Sequence, residues 1–260
     1  MTVLVGCVEK TTTISLQRVA VLGASVTAGW GITTPPIPGD FGAYPVTMKH
    51  IMEGMIEAPH EEVAYFGDTM FFIEPNDVGK ELIEQVLEHE PTLVIAVDFL
   101  FWFAYGLTGA DDDVPAVRLK SFELGLALLD KLEAHVIVGD IPDMHTSIGK
   151  ILSARRVPTP LTINRMNARL REWAMKRPRV SVINVHDIVE DLMRDVEISV
   201  ANYTWLAGSR SKLLQQDMLH PTLEGTVAIS LLMVDFIGEN GLQTDPKLVM
   251  KEAVAAAREN

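Results

Sequence analysis

Five short apolar runs, separated by longer stretches of helical periodicity, constrain this chain more than any other feature. The runs are residues 18–22, 62–66, 93–97, 135–139 and 180–185. Between them, residues 44–56, 77–89, 117–133 and 161–176 carry apolar side chains at three- and four-residue spacing, as amphipathic helices do. Two more helices close the chain, one over 222–237 and one from Pro246, a favoured first-turn residue, to about residue 258. Strands alternating with helices build βαβ units, so the expected class is α/β with a five-stranded parallel sheet.

The stretch 93–110 is nearly long enough to span a membrane and holds a single charge, Asp98. It reads instead as a buried strand after Pro91, with Gly106 and Gly109 interrupting the apolar residues beyond it. Neither a repeat period nor a Gly/Ser or Pro-rich linker divides the 260 residues. One domain is expected, its core over about 18–238, with residues 1–15 and the helix 246–258 peripheral. The irregular stretches are 31–42, 144–160 and 202–216.

Charge excludes some partners. The 22 Lys plus Arg against 35 Asp plus Glu leave a net charge of −13 with no local basic cluster, which disfavours nucleic acid and anionic membrane surfaces. Cys7 is the sole cysteine, so neither an internal disulfide nor a thiolate metal site is expected. Its setting, Leu4-Val5-Gly6-Cys7, has the shape of a lipoprotein cleavage site without the basic and apolar segments that should precede it. The chain as it stands reads as cytoplasmic. It becomes an extracytoplasmic lipoprotein only if the true start lies upstream of Cys7, and no longer reading frame is expected.

Ligand sites in open α/β sheets lie beyond the carboxyl ends of the strands. The first strand runs into Gly23-Ala24-Ser25-Val26-Thr27, a small-residue turn carrying a serine. A helix starting at Ser25 would aim free N–H groups at a developing oxyanion, but Gly-x-Ser before a helix is also an ordinary N-cap. Near the other end stands Asp217-Met218-Leu219-His220-Pro221. A carboxylate three residues before a histidine on one loop can hold its second ring nitrogen, as a base toward serine requires. Pro221 biases His220 toward extended backbone, against a helical metal pair; a surface turn with a helix cap at Thr222 is the plain alternative.

Taken together, the segments around Ser25 and His220 resemble the first and last blocks of the GDSL/SGNH serine esterases and acyl hydrolases. Phe66-Gly67-Asp68-Thr69 is similar to the block after the family's second strand. The blocks stand in the family's order and span residues 19–225. The resemblance implies a three-layer α/β/α sandwich of flavodoxin-like topology that needs no cofactor or metal. It also implies Ser25 as nucleophile, His220 as base, Asp217 as its orienter, and the N–H groups of Ser25 and Gly67 as oxyanion donors. The substrate would be a small-molecule carboxylic ester, such as a short- or medium-chain acyl or an O-acetyl ester. Acyl transfer would use the same triad; a non-catalytic carbohydrate- or lipid-binding protein is the alternative of a different class.

Two departures matter. Ala24 replaces the aspartate of the first block, and the third block, Gly-x-Asn-Asp, is absent: its Asn and Asp positions fall on Phe101 and Trp102. Neither offers an amide donor. Asp98 at the strand end is a candidate to bind substrate or orient another group, with a buried structural role as the competing reading. Phe99, Phe101, Trp102, Phe103 and Tyr105 read as core under a loop or as an apolar wall of the site, and Phe101 and Trp102 are the candidate substrate contacts. Asp140 and Asp143 read as turn or cap residues. His50, His60, His89, His135, His145 and His186 show no ligand spacing.

Overall fold

A strand covered on both faces must be apolar throughout, and every residue of β1 (Val19–Gly23) and β3 (Leu93–Ala96) is buried. The computed structural model describes residues 14–109 and 114–259; Cys7 and its surroundings lie outside them. With β1 and β3 at the centre, β2 (Ala64–Gly67), β4 (His135–Gly139) and β5 (Val180–Ile183) complete a sheet in the order β2-β1-β3-β4-β5, all pairs parallel. This is the doubly wound order whose chain reverses direction between β1 and β3, where such folds open a crevice.

Helices cover both faces. α1 (Met48–Met55) follows β1, α2 (Pro75–His89) follows β2, α3 (Phe101–Tyr105) and α4 (Val114–Leu129) follow β3, and α5 (Pro160–Ala174) joins β4 to β5. After β5 come α6 (Val185–Arg194), a hairpin of β6 (Ile198–Val200) and β7 (Tyr203–Trp205), then α7 (Arg210–Leu213), α8 (Leu223–Leu231), α9 (Val234–Ile237) and α10 (Pro246–Glu259). One layer packs α2, α4 and α5 side by side; α1, α8 and α10 form the other. Among the described residues, no helix is long and apolar enough to cross a membrane.

Several expectations shift. Strand ends move by one or two residues. The first helix starts at Met48 rather than residue 44, where Thr47 caps it and donates its N–H to His50 Nδ1 at 3.0 Å. The helix expected over 222–237 is two, α8 and α9. The fifth strand stops at Ile183 because Asn184 accepts from the Asp187 N–H and caps α6. A strand drawn two residues too long hides that helix, although Val185, Ile188, Val189 and Leu192 follow helical spacing. The hairpin likewise occupies part of the stretch 202–216 expected to be irregular. The C-terminal helix is not peripheral: Val249 and Ala253 are fully buried, and a Cβ on Gly54 of α1 would stand 2.9 Å from the Ala253 nitrogen. Two small residues let these helix backbones approach closely.

Candidate active site

The turn after β1 is a single helical turn and not the start of a helix. Ala28 N–H reaches Ala24 O at 2.8 Å and Trp30 N–H reaches Ser25 O at 2.9 Å. Gly29 then takes a left-handed conformation, φ 67°, and a side chain there would overlap Val46 O. The turn ends because its backbone leaves the helical region where only glycine fits.

Asp98 holds this turn from beneath. One carboxylate oxygen accepts from Ala24 N–H at 3.0 Å and from the Thr27 hydroxyl at 2.6 Å; the other accepts from Val26 N–H at 2.7 Å and Thr27 N–H at 3.3 Å. The N–H of Ser25 takes no part in this set. Gly23 is required for the approach, since any Cβ there would overlap Asp98 Oδ1. Burial pushes the Asp98 carboxyl above its ordinary range, against four donors that pull it down. Both Asp98 oxygens are taken up by the turn, which is the buried structural role of the two readings, and the residue also lines the cleft beside Ser25. It restores, from two residues beyond the end of β3, a carboxylate partner that Ala24 does not supply.

Ser25 and His220 are brought together from opposite ends of the chain. The Ser25 hydroxyl lies 3.0 Å from His220 Nε2, and His220 Nδ1 lies 2.7 Å from Asp217 Oδ2. The other Asp217 oxygen accepts from Leu219 N–H at 2.9 Å and His220 N–H at 3.0 Å, folding the loop on itself. Burial acts to raise the Asp217 pKa, but these bonds and His220 outweigh it and hold the carboxyl below its ordinary range. Ser25 and His220 are nearly buried, at 9% and 4% exposure.

Gly67 ends β2 in register with Gly23, beside the serine turn. Of the two aromatic candidates, Phe101 faces the cleft and Trp102 does not. α3 turns successive side chains by about 100°, so Phe101 stacks on Tyr105 at 4.1 Å while Trp102 packs on Phe72 beneath the Arg156 guanidinium. Phe99 and Phe103 are core, edge-on or tilted against each other and Phe71. Asp140 accepts from His186 N–H at 2.7 Å at the start of α6, the cap role expected of it. His186, Asp187 and Glu190 do share a spacing, with ligand atoms within 4.8 Å of one another, although the two acids are exposed.

Two other residues of the site are given no role by the sequence: Trp30, which belongs to the extended first-block match (residues 21–31), and Gln215. Trp30 stacks on His220 with centroids 5.6 Å apart and is 44% exposed, forming a flat rim above the imidazole. Gln215 ties that rim to the His220 loop by donating to Trp30 O at 2.7 Å and Pro221 O at 2.8 Å. The cleft that opens at Ser25 and His220 is walled by Val97, Phe101 and Ile141 from the sheet side, by Ile188 and Leu192 of α6, and by Ala228 and Ile229 of α8. Of this wall, Phe101 is the part the sequence names directly; the α6 part is announced only by its helical spacing.

Similar architecture occurs in solved structures. A lipase/acylhydrolase from Enterococcus faecalis superposes with a TM-score of 0.53 at 19% identity, over 88% of this chain and 98% of that one. A putative GDSL-like lipase from Parabacteroides merdae gives 0.54 at 13% identity, over 88% and 100%. Axe2, an acetylxylan esterase from Geobacillus stearothermophilus, gives 0.53 at 16%, over 90% and 100%. The chain has the GDSL/SGNH hydrolase fold. No family model and no curated protein matches its sequence.

Proposed function

We propose that this protein is a serine hydrolase of carboxylic esters with an apolar acyl chain. The observation that carries this reading is the unbroken relay from Ser25 Oγ through His220 to Asp217, at 3.0 and 2.7 Å, at the mouth of an apolar cleft. Ser25 Oγ attacks the acyl carbon while His220 Nε2 takes its proton; the carbonyl oxygen becomes an oxyanion. The Ser25 N–H, left out of the Asp98 set, and the Gly67 N–H are its backbone donors. Collapse passes the proton from His220 to the leaving alkoxide and leaves an acyl-serine. Water, deprotonated by His220, then releases the acid and restores the serine. Asp217 keeps the imidazole oriented and stabilises the imidazolium formed at each proton transfer.

The cleft walls favour acyl chains longer than acetyl. Each buried methylene is worth about 0.8 kcal/mol, nearly fourfold in kcat/KM, until the wall is reached. A p-nitrophenyl ester series from acetyl to decanoyl should rise over several carbons before falling, and Ala228→Phe should move the optimum to shorter chains. Acetyl esters reacting fastest would overturn the acyl assignment.

Fluorophosphonate labelling tests the chemistry itself. The wild-type chain should take label on Ser25, and Ser25→Ala and His220→Ala should each lower kcat on the order of 10⁶-fold. Combining them should cost little more, because the two act as one unit. A folded wild-type chain that takes no label and turns over no ester would be a binding protein instead.

A further inference from the structure

An oxyanion is commonly held by more than two donors, yet the residues from Val97 to Trp102 that follow β3 hold no amide side chain, and their one polar group, Asp98, is a carboxylate committed to the serine turn. The opposite flank of β1 is different. Tyr65 lies on β2 in register with Val21, two residues before Gly67, which is in register with Gly23. Residues two apart on a strand share a face, and the Tyr65 ring runs along that face across Gly67. A Cβ on Gly67 would stand 2.6 Å from the Tyr65 hydroxyl and 2.7 Å from two ring carbons, so the absence of a side chain at Gly67 is what admits the ring. The hydroxyl therefore ends against the Gly67 backbone at the carboxyl edge of the sheet. Tyr65 is 39% exposed, and among the described residues its hydroxyl has no protein hydrogen-bond partner.

We propose that the Tyr65 hydroxyl donates a third hydrogen bond to the acyl oxygen of the tetrahedral intermediate, a role that rests on Ser25 being the nucleophile. A phenol donates only while protonated. Burial, then the negative groups that face it, Asp98 and Asp68, push the Tyr65 pKa upward, so the proton stays in place through neutral and mildly alkaline pH. Neither carboxyl competes strongly for that proton. Asp98 already accepts four hydrogen bonds, and Asp68 Oδ1 accepts from Met70 N–H at 2.6 Å. The hydroxyl is left to the ligand. As the acyl oxygen gains charge, this bond strengthens with it and favours the transition state over the bound ester.

Tyr65→Phe keeps the ring on Gly67 and removes only the donor. In the full-length chain, kcat for an alkyl ester such as ethyl hexanoate should fall about 10- to 100-fold with KM within twofold. Inhibition by an alkyl trifluoromethyl ketone, whose hemiketal oxygen mimics the oxyanion, should weaken by a similar factor at unchanged Tm. A packing role would move Tm and leave the ketone's affinity untouched. The wild type should also lose rate as pH rises beyond the ordinary tyrosine value of about 10, a limb that Tyr65→Phe lacks. Should Tyr65→Phe not fold, that alkaline limb in the wild type decides. A wild-type kcat and ketone affinity in folded Tyr65→Phe, or a flat alkaline profile up to unfolding, would overturn the proposal. Ser25→Ala run alongside separates the failures: activity surviving in it overturns the nucleophile and the role of Tyr65 with it.

Discussion

The loop that presents His220 is held by its own neighbours, whereas the turn that presents Ser25 is held from more than 70 residues away. Asp217 binds the ring and two backbone N–H groups within three residues of itself, and Met218 N–H closes the loop onto Gln215 O at 3.0 Å. The serine turn hangs on the Asp98 carboxyl, which exists in that place only when β3 lies beside β1. One half of the site is thus a local structure, and the other is a consequence of sheet assembly. Damage to the first should be chemical; damage to the second should be chemical and structural at once.

The largest effect should come from Asp98→Ala. It strands three N–H groups, two buried and that of Val26 partly buried, together with the buried Thr27 hydroxyl; a buried group left unsatisfied costs on the order of 1–3 kcal/mol. A loss of roughly 4 kcal/mol or more in urea unfolding is expected, a large share of the stability of a domain this size, with activity falling by several orders of magnitude. Asp98→Asn should be only partly milder, because its NH₂ group faces donors. Wild-type unfolding and rate in Asp98→Ala would break the contrast between the two regions.

Asp217→Asn should sharpen that contrast. Asn keeps an oxygen for the Leu219 and His220 N–H groups, so stability should change by no more than about 1 kcal/mol. Its NH₂ donates to Nδ1 and so selects the tautomer with a proton on Nε2, which cannot act as base. An analogous change in a serine protease lowers kcat about 10⁴-fold, and a drop of 10³- to 10⁴-fold is expected. The pH dependence comes from the same bonds. The Asp217 pKa is lowered in the folded protein, so its contribution to stability is present above the unfolded value near 3.9 and is lost as pH falls through the folded value. The stability gap between wild type and Asp217→Asn should therefore narrow below about pH 4 and stay constant above pH 5. A gap that widens in acid would contradict the lowered carboxyl.

Legibility in the sequence divides along the same line. Asp217 and His220 can be paired because three residues on one loop suffice to bring them together, and β1, β3 and β4 can be placed because buried parallel strands are apolar at every position. Asp98 cannot be assigned to the serine turn, since no spacing in the chain records which strand lies beside β1. Trp102 reads as a cleft residue only because a five-residue helix leaves too short a pattern to fix which of two adjacent aromatics faces inward. Tyr65 carries no signal at all; its meaning depends on the register of β2 with β1.

The smallest effect should come from Thr27→Val, which probes the turn without dismantling it. The two side chains have nearly the same shape, and Thr27 is fully buried, so packing is retained while one donor to Asp98 Oδ1 is lost. The carboxyl keeps three N–H donors, and none of the turn's backbone groups is orphaned. Removing a hydrogen bond of this kind costs about 1 kcal/mol, and kcat should fall less than tenfold because the Ser25 backbone stays in place. Thr27→Ser, which keeps the hydroxyl and gives up a methyl group, separates the hydrogen bond from the packing. It should match wild type in kcat and lose only a comparable increment of stability from the small cavity. If Thr27→Val instead matched Asp98→Ala, the hydroxyl rather than the three N–H groups would be what holds the turn, and the dependence on sheet assembly would rest on a single side chain.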